Sequence, residues 1–581
     1  MLAFFIAFFA LLMPFVTTNG ARNASIGVDD YVVDLGYQLN RGQAVVNNTL
    51  VTFRNVRFAA PPVGPLRFLA PTIPAVDRTG IQNASDVICP QAFPKWLTTG
   101  AVTPFTPADI PPVDPRTSED CLFLDVLLPK RIWETRQGSH AAVLVWIYGG
   151  GFDVGWKDAS GRGYGLVARS QQSGSQGVIL VSIGYRLGLF VSPAVIPRVP
   201  KPEIQLSLLI SVVLTSRSKG WMNGAGVKSN AGLLDQRFAL EWVQRYIHLF
   251  GGDPSRVTIL GESAGGSSVE AHITAYGGSK GSSPFKGAII QSPYILPSYP
   301  LPNSQVDAVL SFGNVDSVDT LRSMSSTDLQ KLNALLVGNS QPFGTFTFGV
   351  VPDDDYVPDL PGKLFQQERF DHELFVMTGH NQDEGSRFVP NTLITNDSSY
   401  ATFLESLILP LANNATALNF ITQKLYPPIF DGSQGYTNQT ERNNLTIADA
   451  TFVCNARFMD QANFVPKTYA YEFSVSPAVH GADLSYTFYD FGTVPGVNTT
   501  VAEVMQSYLT RFVETGQPNS PALPFFSPAR PGLTVQNLGS DFVGPMLDER
   551  GIKQLQDRCQ FWQDVPYLLN YQSDARVLVE M

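Results

Sequence analysis

The sequence predicts an α/β fold: a mostly parallel central sheet flanked by helices, in a single large domain. Three observations carry this. First, short apolar, β-branched runs with few polar breaks recur at Ala141–Tyr148, Gly177–Ile183, Val257–Leu260 and Gly287–Gln291. Strands buried on both faces, as in parallel sheets, read in this way. Second, Leu234–Leu249 lies between two of these runs and places Phe238, Trp242, Val243 and Tyr246 at helical spacing. Strand, helix and strand in succession describe a doubly wound sheet. Third, the 581 residues contain no repeat, charge block or low-complexity linker that would mark a domain boundary.

The elements follow in chain order. Residues 1–20 read as a secretory signal peptide, followed by one domain over residues 21–581. Met1–Val16 is apolar throughout, gives way to Thr-Thr-Asn-Gly-Ala, and is short for a bilayer span. It carries no Lys or Arg before the apolar run, so the amino terminus alone supplies the positive charge. Elsewhere the apolar stretch Ile204–Leu214 could cross only about half a bilayer. The expected location is therefore extracellular, with no stable membrane anchor. Glycosylation sequons at Asn23, Asn47, Asn83, Asn396, Asn414, Asn438, Asn444 and Asn498 agree with secretion. So does the even set Cys89, Cys121, Cys454 and Cys559, whose spacings fit disulfides rather than any metal motif. Charged residues make up 15% of the chain and the net charge is −10. That balance suits a buried core and argues against nucleic acid or an anionic membrane as partner.

The chemistry-bearing segments come next. Trp146-Ile-Tyr-Gly149-Gly150-Gly151-Phe152 closes a buried strand with three glycines. Val257-Thr-Ile-Leu-Gly261-Glu262-Ser263-Ala264-Gly265-Gly266 reads as strand, tight turn and then a helix over Ser267–Tyr276. In the α/β-hydrolase fold such a turn lifts a serine Oγ clear of the sheet and presents it to the next helix's amides. Gly277-Gly-Ser279-Lys-Gly281 matches the same five-residue pattern, but no apolar strand precedes it, so Ser279 is assigned to a loop. The glycine triplet then has a role. Two backbone amides of the triplet, joined by that of Ala264, can receive the negative charge that develops on an attacked carbonyl oxygen. One such donor is worth roughly 3 kcal/mol in the transition state.

A serine nucleophile needs a base, and histidine serves near neutral pH. Of His140, His248, His272, His372, His380 and His480, only His480 lies beyond the acid candidate in the order nucleophile, acid, histidine. His248 and His272 fall on predicted helices and read as surface or packing residues, while His380 precedes the acid. The acid candidate is Glu384, after the strand-like Leu374–Thr378, with Asp383 beside it as the alternative. Ser263, Glu384 and His480 together need no metal and no organic cofactor.

These residues resemble the type-B carboxylesterase/lipase family, the cholinesterase-like α/β-hydrolases that include secreted fungal lipases. The resemblance runs nearly end to end. It covers Phe53–Phe68, Ser118-Glu-Asp-Cys-Leu-Phe-Leu-Asp-Val126, Asn230-Ala-Gly-Leu-Leu-Asp-Gln-Arg237, Phe250-Gly-Gly-Asp-Pro254 and the Gly-Glu-Ser-Ala-Gly-Gly box. It implies Glu384 rather than Asp383 as the acid, and Gly150, Gly151 and Ala264 as oxyanion donors. It also implies the pairs Cys89–Cys121, closing a flap over the active-site gorge, and Cys454–Cys559, stapling the C-terminal helix.

Three departures stand out. The stretch before Ser118 has no tryptophan where cholinesterases hold a quaternary ammonium; Trp96 lies in the same loop but much earlier. The flap Gln91–Ile110 carries Phe93, Trp96, Leu97, Phe105 and Ile110, which fits either a lipase-like lid or packing onto the body. Finally, an atypical stretch at 191–229 separates Tyr185–Phe190 from the Asn230 block, as a surface insertion or as translated intron sequence. The leading expectation is a secreted hydrolase of carboxylic esters whose substrate is a small-molecule or lipid ester. The competing one is a cholinesterase-like binding or adhesion protein; such proteins usually lose the nucleophile or the histidine.

Overall fold

The apolar runs do become the middle of the sheet. The computed structural model describes residues 31–82, 86–100, 104–172, 174–190, 227–296, 304–340, 342–492, 494–530, 534–547 and 552–568. The expected signal segment 1–20, Asn23, Asn83 and the atypical stretch, but for Val227–Ser229, lie outside these residues. In chain order the strands are β1 (Val32–Asp34), β2 (Leu39–Arg41), β3 (Gln43–Val45), β4 (Leu50–Arg57), β5 (Ile81–Gln82), β6 (Phe123–Pro129) and β7 (Ala141–Ile147). They continue with β8 (Ile179–Ile183), β9 (Gly252–Glu262), β10 (Gly287–Gln291), β11 (Phe375–Asn381), β12 (Tyr469–Phe473), β13 (Thr534–Leu538) and β14 (Val543–Leu547).

Among the described residues the main sheet has eleven strands in the order β14-β13-β12-β11-β10-β9-β7-β8-β6-β4-β3. Strands β8, β7 and β9 through β13 run parallel. The outer strands β6, β4, β3 and β14 pair antiparallel. Every residue of β7, β8 and β10 is buried. That is why these strands read as unbroken apolar runs, whereas β1 to β3 at the periphery do not. The helix Ala231–Tyr246 covers the predicted segment up to Tyr246, with a 3-10 turn over Ile247–Phe250 beyond it, and its buried stripe includes Ala239, Leu240, Trp242 and Val243. Phe238 and Tyr246 pack against the core from a half-buried position. The other predicted helix starts at Ala264 rather than Ser267 and ends at Ile273, immediately after β9. Among the described residues no helix is long and apolar enough to cross a membrane.

Both disulfides form as the resemblance implied, Cys89–Cys121 and Cys454–Cys559, each with 5.0 Å between Cα atoms. The first closes the segment that carries the flap. The second ties the helix Cys454–Gln461 to the helix Ile552–Leu568. Of the sequon asparagines within the described residues, Asn47, Asn396 and Asn438 are exposed, and Asn414, Asn444 and Asn498 are half-buried. Asn396, Asn414, Asn438 and Asn498 also cap helices, each accepting a backbone N–H three residues on.

The Cys454–Cys559 bridge spans 105 residues and the Cys89–Cys121 bridge 32. Loop-closure entropy then gives roughly 5 and 4 kcal/mol respectively. Replacing both Cys454 and Cys559 with Ser is expected to lower the thermal midpoint further than the same change at Cys89 and Cys121, read by differential scanning calorimetry. An equal or reversed order would show that local packing, not chain entropy, sets the effect.

Candidate active site

The elbow around Ser263 is built from close approaches that only glycine permits. Ser263 follows β9 directly at φ 57° and ψ −122°, a backbone conformation in which an ordinary side chain is strained. A Cβ on Gly261 would fall 2.2 Å from the carbonyl oxygen of Gly265, and one on Gly265 would fall 2.1 Å from that of Ile147. The turn is held by the Ser263 amide, which donates to the Gln291 carbonyl at 3.0 Å. The helix Ala264–Ile273 begins at the next residue, so its unpaired amides and positive dipole end face the serine.

The glycine triplet lies against this elbow. A Cβ on Gly149 would come within 2.9 Å of the Ser263 Cβ. Gly151 adopts φ 62°, and the Phe346 ring lies directly over it. Gly149 thus packs on Ser263 itself, Gly150 and Gly151 follow it in the same turn, and Ala264 is the first residue of the helix after the serine.

His480 joins them from 217 residues away. Its Nε2 is 2.9 Å from the Ser263 Oγ, and its Nδ1 is 2.6 Å from the Glu384 Oε2. A carboxylate only accepts hydrogen bonds, so Nδ1 carries the proton of the neutral ring and Nε2 accepts from the serine hydroxyl. Glu384 is fully buried; its Oε1 accepts from the Ser292 hydroxyl and the Asn381 amide, each at 2.6 Å. The structure thus separates the two acid candidates. Asp383 is half-buried, and its backbone amide bonds the Ala478 carbonyl.

One carboxylate near the histidine was not assigned a role from sequence. Glu262, buried beside the serine, has Oε1 3.3 Å from the His480 Nε2. Its place in the Gly-Glu-Ser triplet is a signal that position alone could have supplied. Burial pushes Glu262 up to about 8, partly offset by His480. Burial also raises the Glu384 carboxyl, but His480, Ser292 and the Asn381 amide outweigh it and hold Glu384 below its ordinary value. For His480, burial opposes the charged form, yet the carboxylates of Glu262 and Glu384 prevail and raise its pKa above 6.5. A buried carboxylate on each side of one imidazole makes the group titrate as a unit.

Sequence also gave no account of the aromatic wall. Phe388 presents its edge to the His480 ring at 5.1 Å, and Phe452 lies at 4.4 Å. Both come from distant segments whose composition does not distinguish them from other core phenylalanines. From the flap, Trp96 is buried and packs on the body, whereas Phe93 and Leu97 are exposed. Phe105 is half-buried, its amide bonded to Asn339.

The remaining histidines stay apart from the site. His272 is buried between the Tyr356 hydroxyl and Gln236, and burial takes it down to about 3. His380 lies on β11, 3.5 Å from Glu472, while His140 and His248 are exposed. His372 bonds the carbonyl of Asn463. Ser279 is an exposed serine whose hydroxyl bonds the Tyr276 carbonyl.

The profile of the Carboxylesterase family matches residues 35–191 and 220–540. The chain belongs to the carboxylesterase family. It is therefore a carboxylic ester hydrolase with the α/β-hydrolase fold, as the resemblance implied. It is 36% identical to carboxylesterase patB of Aspergillus clavatus, over 97% of this chain and all of that protein. It is 30% identical to a secreted triacylglycerol lipase of Gibberella zeae, over 81% of this chain and 79% of the lipase. Among solved structures, Aspergillus niger EstA superposes with a TM-score of 0.73 at 26% identity, covering 92% of this chain and 99% of that one.

In this carboxylesterase the imidazole of His480 is expected to titrate above 6.5, followed by NMR of histidine-labelled protein. Glu262→Gln removes a neighbouring negative charge, so the midpoint is expected to move down. A midpoint that stays put would show that Glu262 is protonated throughout the titration of His480.

Proposed function

We propose that this carboxylesterase is secreted and cleaves carboxylic esters through an acyl-enzyme, with Ser263 as nucleophile, His480 as base and Glu384 as orienting acid. The observation that carries the reading is the continuous buried chain from Ser263 Oγ to His480 to Glu384, at 2.9 and 2.6 Å. In the first half-reaction His480 Nε2 takes the serine proton as Oγ attacks the ester carbonyl carbon. The carbonyl oxygen becomes an alkoxide facing the amides of Gly150, Gly151 and Ala264. As the tetrahedral intermediate collapses, the imidazolium gives its proton to the departing alcohol, leaving Ser263 acylated. In the second half, water loses a proton to His480 as it attacks the acyl carbon, and the carboxylic acid and free Ser263 are released. Glu384 keeps the proton on Nδ1 and stabilises the imidazolium in both halves.

The site suits esters with an apolar acyl or alcohol part. Phe388 and Phe452 lie against the His480 ring and Phe346 covers Gly151, and burial of apolar substrate surface there contributes about 25 cal/mol per Å². Secretion is supported by the two disulfides, the dense sequons and the apolar start of the chain. Two relatives are described as secreted lipases, from Gibberella zeae and Botryotinia fuckeliana.

The test is a chain-length series of p-nitrophenyl esters on protein recovered from culture medium. Ser263→Ala is expected to abolish enzymatic hydrolysis. Glu384→Gln is expected to lower kcat by roughly 10⁴, because the neutral amide no longer enforces the productive tautomer. Hydrolysis by Ser263→Ala at the unmodified rate would overturn the mechanism.

A further inference from the structure

We propose that Trp96 sets the size of the apolar group this esterase accepts, by closing the space outward of Ser263; the proposal rests on Ser263 and His480 as the reacting pair. The observations concern two walls that flank the reacting atoms. On the oxyanion side stands Phe346. A Cβ placed on Gly151 would fall 2.0 Å from its Cγ, so the ring covers that glycine. On the histidine side stands Phe388, with its edge against the His480 ring at an interplanar angle of 78°.

Trp96 touches both walls. Its ring centroid is 5.4 Å from Phe346 and 5.9 Å from Phe388, and a third contact is made with Phe343 at 5.2 Å. A side chain in contact with the wall over Gly151 and the wall beside His480 spans the interval between them. On this proposal the acyl or alcohol group of an ester held at Ser263 extends into that interval. The indole is fixed there, since its N–H donates to the Thr345 carbonyl at 2.7 Å and the residue is 4% exposed. Its backbone belongs to a different segment, the short helix Lys95–Thr99 inside the Cys89–Cys121 loop. The same side chain therefore joins the flap to both walls.

An indole is among the largest apolar groups a side chain can place in a pocket. Shortening it frees room for several methylenes, and pocket contacts of one methylene already discriminate by about tenfold. A purely structural tryptophan would change the amount of folded enzyme but not its preference between esters.

The experiment compares kcat/KM for p-nitrophenyl acetate and decanoate in full-length wild-type, Trp96→Phe, Trp96→Leu and Trp96→Ala enzymes, with folded protein quantified by active-site titration with a fluorophosphonate. The decanoate-to-acetate ratio is expected to rise in that order, reaching at least roughly tenfold in Trp96→Ala. Should Trp96→Ala fail to fold, Trp96→Leu keeps apolar packing and still removes the indole. An unchanged ratio in either folded small-residue variant overturns the proposal. Turnover retained by Ser263→Ala, or failure of the fluorophosphonate to label Ser263, would instead indict the underlying assignment.

Discussion

The whole site depends on how closely one helix approaches two strands. The helix Ala264–Ile273 comes so near β9 and the end of β7 that neither Gly261 nor Gly265 has room for a Cβ. That approach forces Ser263 into its strained conformation and brings the helix start to the reacting group. It also fixes the distance to the glycine turn after β7, because Gly149 packs on Ser263 itself. A sheet whose strands β7 and β10, on either side of β9, are buried at every residue is stiff enough to hold such strain.

The electrostatic arrangement follows from that geometry. His480 sits between two buried carboxylates, with Glu384 on Nδ1 and Glu262 near Nε2. Glu384 is held ionised by its own partners, the Ser292 hydroxyl and the Asn381 amide, on top of the imidazole. Glu262 faces the same imidazole at 3.3 Å and is pushed upward by burial. Two carboxyls on one ring thus have their pKa values pushed in opposite directions because their surroundings differ, Glu384 downward by its partners and Glu262 upward by burial.

Much of this was legible in the sequence, for local reasons. Strands buried on both faces must be apolar throughout, so β7, β8 and β10 were found to within two residues at either end. The glycines of the elbow and the triplet were visible because tight turns admit few other residues. Helix edges were less so: the helix after Ser263 starts three residues earlier than its apolar pattern suggests, since Ala264, Gly265 and Gly266 carry little hydrophobic signal. The stripe on Ala231–Tyr246 shifted toward Ala239 and Leu240 because the sheet, not the helix, decides which side faces inward.

The sequence by itself determined the fold class, the family and the candidates Ser263, His480 and Glu384, because each rests on residues adjacent in the chain or on their order along it. The residues alone left Glu384 and Asp383 open and the resemblance implied Glu384; the tertiary structure shows that it is Glu384 that reaches an imidazole 96 residues away. It alone placed Glu262 against His480, and brought Trp96 into contact with both Phe346 and Phe388. Those contacts join segments up to about 290 residues apart, and an isolated aromatic in a sequence carries no mark of the ring it will meet.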